Sequence, residues 1–134
     1  MRMILATAAL AATLLSTGIS LAADWNPQGF HDESTLEFRT VNPAGEDHWS
    51  TVWFVVLDGE VYVNLGDRAV NRLRENTLAP LVSVRIAETE FERVRVDPAQ
   101  ERQKEVAASI ADKYWTGFLV PYRPPSVVMR LRPE

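Results

Sequence analysis

The sequence predicts a small α+β domain whose antiparallel strands close into a barrel or strongly curved sheet. Short runs with strand character recur at hairpin spacing, and one pair is joined by the tight-turn dipeptide Asp58-Gly59. Two helical stretches fall between groups of strands rather than after every strand. That order argues against a doubly wound parallel sheet.

Taken in order, Thr35–Val41 alternates apolar and polar residues with period two, the pattern of a half-buried strand. Asn42–Asp47 is a turn cluster. Thr51–Leu57 is a continuous β-branched and aromatic run and reads as one central strand buried on both faces, with Trp53 in the core. Asp58-Gly59 then turns the chain into Glu60–Leu65. Gly66 ends that strand and Asp67 is placed to cap a short helix. Val70 and Leu73 share one face of it, and Asn76 suits its end. Leu81–Ala87 and Phe91–Val96 are two more strands, joined through Glu88-Thr89-Glu90. The spacing of Phe91, Val94 and Val96 breaks register near Glu92-Arg93.

A long helix follows. Asp97 reads as its N-cap, Pro98 as its first residue and Gln100 as the return partner of a capping box. Val106, Ala107, Ile110, Ala111 and Tyr114 form one apolar stripe, and Gly117 marks the end. Trp115 is expected to pack below the last strand, Val127–Leu131, and Tyr122 lies in a Pro-rich loop placed to close over a groove.

The domain is preceded by a segment of another kind. Met1-Arg2-Met3 supplies a positive charge, Ile4–Leu15 is almost wholly apolar, and Ser20–Ala23 places small residues at an exit. This is the order of a secretory signal peptide. The apolar run is shorter than the roughly 20 residues of a bilayer-spanning helix. Residues 1–23 are therefore expected to be removed on export to the periplasm or beyond, with no membrane attachment afterwards. Residues 24–34 form an irregular arm, whose Trp25 and Phe30 need cover, and 35–134 form the domain.

Composition narrows the function. Without Arg2 the basic count falls from 14 to 13 against 18 acidic residues, a net charge near −5. That argues against nucleic acid or an anionic membrane as partner. No cysteine is present, so thiol chemistry and disulfides are excluded. No serine sits in a nucleophile elbow, and no glycine-rich phosphate loop occurs. His31 and His48 each neighbour carboxylates, but in loops whose spacing fixes no metal geometry. They read as solvated surface residues, with a metal ligand as the weaker alternative. No residue qualifies as catalytic.

The string from Thr51 to Asn76, TVWFVVLDGEVYVNLGDRAVNRLREN, resembles the strand hairpin and short helix of the flavin- and deazaflavin-binding split-barrel superfamily. That superfamily includes pyridoxamine phosphate oxidase and deazaflavin-dependent nitroreductase-like proteins. The helix ending in Asp112-Lys113-Tyr114-Trp115 and the terminal VVMRLRP are similar to a small uncharacterised subfamily of that group. The resemblance implies a six-stranded antiparallel split β-barrel with one short and one long helix, and a homodimer with FMN or a deazaflavin at its interface. Carried onto this chain, it places the cofactor's phosphate end at Asn64, Gly66, Arg68 and Arg72, and its ring near Trp53 or Trp49. Oxidoreductase activity on a small substrate would follow. Asp67 adds a carboxylate beside the phosphate loop. The alternative is therefore an exported barrel that has lost its cofactor and binds another ligand or a protein partner.

Overall fold

A computed structural model describes residues 24–114 and 127–134. The expected signal segment, Trp115, Gly117 and Tyr122 lie outside the described residues. Within them, α1 (Pro27–Phe30) is followed by β1 (Leu36–Val41), β2 (Asp47–Val52), β3 (Phe54–Leu57) and β4 (Glu60–Leu65). Then come α2 (Asp67–Arg74), β5 (Leu81–Ile86), β6 (Thr89–Pro98), a 3₁₀ turn (Gln100–Arg102), α3 (Gln103–Tyr114) and β7 (Val127–Pro133). No helix among the described residues is long and apolar enough to cross a membrane.

The strands form one antiparallel sheet in the order β2-β1-β5-β6-β7-β4-β3. Its two edge strands, β2 and β3, are joined through Trp53 alone. The sheet must therefore curl until its edges meet, which makes a barrel split along one seam. The strand count is seven rather than six. The run read as one strand, Thr51–Leu57, breaks at Trp53 and serves both edges instead of the centre.

Alternation sorts the side chains into two layers. Leu36, Phe38, Phe54, Val61, Val63, Leu65, Val82, Val84, Ile86, Val94 and Leu131 fill the barrel. Fully burying a side chain such as Leu36 or Phe54 contributes about 1.5–3 kcal/mol. On the outer face, Val55, Tyr62 and Val128 pack against Val106 and Ile110 of α3.

Turn chemistry sets the hairpins. Asp58 and Gly59 both have positive φ, 52° and 77°, as a two-residue hairpin turn with the right twist requires. The next tight turn is Ala87-Glu88 rather than 88–90, because Ile86 pairs with Thr89. The register break expected near Glu92-Arg93 is present: pairing shifts between Val82 and Val84, and Arg93 has φ 60°.

Two caps differ from expectation. Asp67 is the first residue of α2, with Gly66 as N-cap and no side-chain capping bond. Asp97 and Pro98 do not start a helix; β6 continues through them, pairing with Arg130 and Met129. Local capping preference loses to strand pairing there, and α3 begins after the 3₁₀ turn. The side chain of Gln100 instead accepts from the Val128 N–H at 2.5 Å.

The arm also finds its cover. Trp25, Phe30 and Phe91 pack edge-on or tilted, with centroids 5.5, 5.1 and 6.1 Å apart, against the end of the barrel core.

Candidate ligand-binding cleft

The seam of the barrel is open on one side. A cleft of about 570 Å³ runs along β2 from His48 to Val52, continues to Trp53, and is closed by Asn64, Gly66, Arg68, Ala69 and Arg72. Asn64, Gly66, Arg68, Arg72, Trp53 and Trp49, read from separate stretches of sequence, thus line one cavity.

One wall is a strand edge without a neighbouring strand among the described residues. The Asn42 N–H donates to the Glu46 carbonyl at 3.0 Å, which makes that pair hydrogen-bonded. Hydrogen-bonded pairs then recur at every second position, at Thr40/His48, Phe38/Ser50 and Leu36/Val52. The main-chain N–H and C=O groups of Trp49 and Thr51 therefore point away from β1 and into the cleft. Opposite residues share a face, so His48, Ser50 and Val52 lie on the side of buried Phe38, and Trp49 lies with Arg39 outside. The Trp49 ring is covered by the Arg85 guanidinium, 4.0 Å from its centroid. Trp49 thus offers the cleft its backbone more than its ring.

The opposite wall is electropositive. Arg39, Arg85, Arg93, Arg95, Arg102, Arg130 and Arg132 each pair with a carboxylate. Arg74 donates to the Asn71 amide at 2.8 Å. Arg68 and Arg72 make no ion pair or hydrogen bond among the described residues. Arg68 stands on the first turn of α2, where the leading N–H groups are also without helical partners, and Arg72 stands on its last turn. Asp67 does not line the cleft. Beside the helix, the side-chain oxygen of Asn64 is buried with no hydrogen-bond partner among the described residues.

At the far end stands Trp53. It is not a core residue as the sequence predicts: 40% of it is exposed. Its indole stacks on the Tyr114 ring at 4.3 Å with an interplanar angle of 6°. Tyr114 is itself fixed. Its hydroxyl accepts from the Phe54 N–H at 3.0 Å and lies 2.7 Å from the Ser34 carbonyl and 3.1 Å from the Phe54 carbonyl. Burial raises the Tyr114 pKa, and the Phe54 backbone bond partly offsets this. Lys113 donates to the same Phe54 carbonyl at 2.9 Å, and burial lowers its pKa.

The free backbone edge and the Tyr114 stack were not legible in advance. The first depends on strand pairing and the second on a contact between residues 61 apart in sequence. The histidines do not meet: His48 lines this cleft, with Nε2 3.3 Å from the Asn42 amide nitrogen, and His31 lines another beside α3. Among the described residues, no cluster of three or more His, Asp or Glu could hold a metal ion.

No protein-family model matches the sequence, and neither does any curated protein. Solved structures do match in fold. HutZ, the heme storage protein from Vibrio cholerae, shares 19% identity over 80% of this chain and 87% of its own, with a TM-score of 0.62. An F420 reductase shares 14% over 84% and 96%, with a TM-score of 0.55. An FAD-binding protein from Mesorhizobium loti shares 13% over 81% and 87%, with a TM-score of 0.54. The chain has the split-barrel fold of these proteins, the fold to which its strand motifs point.

Proposed function

We propose that this chain is an exported small-ligand-binding protein whose cleft takes a flat-ringed, phosphate-bearing cofactor of the flavin or deazaflavin class. The observation that carries the reading is the pair Arg68 and Arg72. They are the two arginines without a partner among the described residues, and they converge with a helix N-terminus on one cavity. A phosphate group supplies the acceptors that such donors lack. The buried, unpartnered Asn64 oxygen and the free edge at Trp49 and Thr51 suit a ligand with both donors and acceptors along a planar rim. Trp53 supplies an aromatic surface at the other end.

When bound, such a cofactor supplies hydride or electron transfer to a small substrate. The chain's own residues hold and orient it: Arg68 and Arg72 by charge, β2 by main-chain hydrogen bonds, and Trp53 by stacking. The edges left beside Trp53 support a homodimer in which a second copy covers the open side. The heme storage described for one neighbour, HutZ, makes haem the second flat ring to test, with His48 inside the same cavity.

The test is a visible absorption spectrum of protein purified from the periplasm, before and after FMN is added and the excess removed. A retained flavin band is expected. Arg68→Ala should weaken FMN binding about 10-fold or more, as loss of a charge-assisted phosphate contact does. A featureless spectrum with no FMN retained refutes the cofactor reading and favours a barrel that binds something else.

A further inference from the structure

We propose that Tyr114 is a positioning residue that holds Trp53 as a rigid plate on which the ligand's ring stacks. This rests on the reading of the cleft as a flat-ring site and names a residue outside the cavity lining. The two rings are nearly parallel, 6° apart at 4.3 Å, so one face of the indole is committed to Tyr114. No other ring among the described residues contacts Trp53, and the residue lines the cleft while remaining 40% exposed. A large apolar side chain left open beside a cavity has surface to bury, and a flat ring buries it best.

Tyr114 suits the task because its own position is overdetermined. The closing pair of the Asp58-Gly59 turn is Leu57/Glu60, so Val55 pairs inward with Tyr62, and the N–H and C=O of Phe54 face outward from the edge. The Tyr114 hydroxyl takes up that N–H, and Lys113 takes up that carbonyl. The Ser34 carbonyl, 2.7 Å away, ties the same hydroxyl to the N-terminal arm. Backbone on two sides thus fixes the ring that fixes Trp53. The hydroxyl serves the strand edge and the ring serves the plate, so the two roles can be separated by substitution.

The experiment measures binding of FMN, and separately of hemin, to the full chain and to Trp53→Leu, Tyr114→Phe and Tyr114→Leu. Quenching of indole fluorescence and thermal unfolding are followed in parallel. Tyr114→Met fills the same space without a flat ring and replaces Tyr114→Leu should that variant not fold. Trp53→Leu and Tyr114→Leu should each weaken binding about 10-fold, and combining them should add little, because they remove one stack. Tyr114→Phe keeps the stacked ring and should melt earlier yet bind within about 2-fold of the parent, whereas a merely structural role would make affinity follow melting temperature alike in Tyr114→Phe and Tyr114→Leu. If hemin binds with this pattern and FMN does not, the flavin reading fails and the plate stands. Unchanged affinity in Trp53→Leu, or binding of neither ring by the parent, overturns the proposal.

Discussion

Asn76 offers a sharp test of how the wall carrying Arg68 and Arg72 is anchored. The residue follows α2 and is 7% exposed. Its side-chain oxygen accepts from the N–H groups of Val41 at 3.1 Å and Leu78 at 3.2 Å. Its amide donates to the Leu81 carbonyl at 2.9 Å. One side chain thus ties the exit of α2 to the end of β1 and the start of β5. Asn76→Ala removes three hydrogen bonds at about 1 kcal/mol each and strands backbone groups that water reaches poorly, a loss of about 2–4 kcal/mol. Against a total of about 5–15 kcal/mol this is large. With a urea dependence of about 1–2 kcal/mol per molar, the unfolding midpoint should fall by about 2 M. Asn76→Asp separates the terms. It keeps the acceptor for Val41 and Leu78 but sets a carboxylate against the Leu81 carbonyl, so it should regain stability relative to the parent as acid protonates it and restores a donor. A shift below about 0.5 M in Asn76→Ala would refute the anchoring role.

Glu60 gives a pH signature. It accepts two bonds from Arg132, each at 2.7 Å, and this pairing lowers its pKa, helped by Arg130 and Arg102 and opposed by burial. A lowered folded-state value means the pair's contribution is complete above the ordinary glutamate range, about pH 4.3, and is lost as pH falls through the lowered value. Glu60→Gln should therefore flatten the acid limb of a melting-temperature profile while costing under about 1 kcal/mol at neutral pH; parallel profiles would refute the assignment. Phe91→Ala removes the ring that meets both Trp25 and Phe30. It should cost about 1–3 kcal/mol, shift Trp25 emission to the red and expose the arm to protease, whereas unchanged emission would show that the arm is held elsewhere.

The elements that were legible from sequence are those whose cause is local. Asp58-Gly59 specifies its turn by backbone conformation, and the spacing of Phe91, Val94 and Val96 carries the bulge at Arg93. The misread elements have good local signals that a distant partner overrides. Asp97 and Pro98 make a sound helix start, yet the register with Arg130 and Met129 keeps them in β6. Asp67 suits a cap, yet Gly66, in extended conformation at the end of β4, is already the N-cap. Arg68 and Arg72 could be named because the resemblance sets the cofactor's phosphate end at the loop and short helix that carry them. Their lack of partners among the described residues is a tertiary property, set by long-range pairing that engages most of the other arginines and passes these two by.

Trp53 shows why the cleft and the largest misreading have one origin. A sheet that closes on itself must bring its two edge strands together, and here a single residue spans them. That residue cannot take part in both ladders. Its backbone steps from one edge to the other, and its side chain leaves the core. Every local preference in Thr51–Leu57 favours one buried strand, so the break is imposed by closure and not by composition. The same step leaves the backbone of Trp49 and Thr51 without a neighbouring strand among the described residues and opens the cavity beside α2. At β3 part of the matching problem is solved from within, because Tyr114 and Lys113 cover the Phe54 N–H and carbonyl. The edge lined by the cleft has no such cover among the described residues. An unpaired edge beside two unpaired arginines is costly to keep unless something completes both, and a ligand with a polar rim and an anionic end does so in one step.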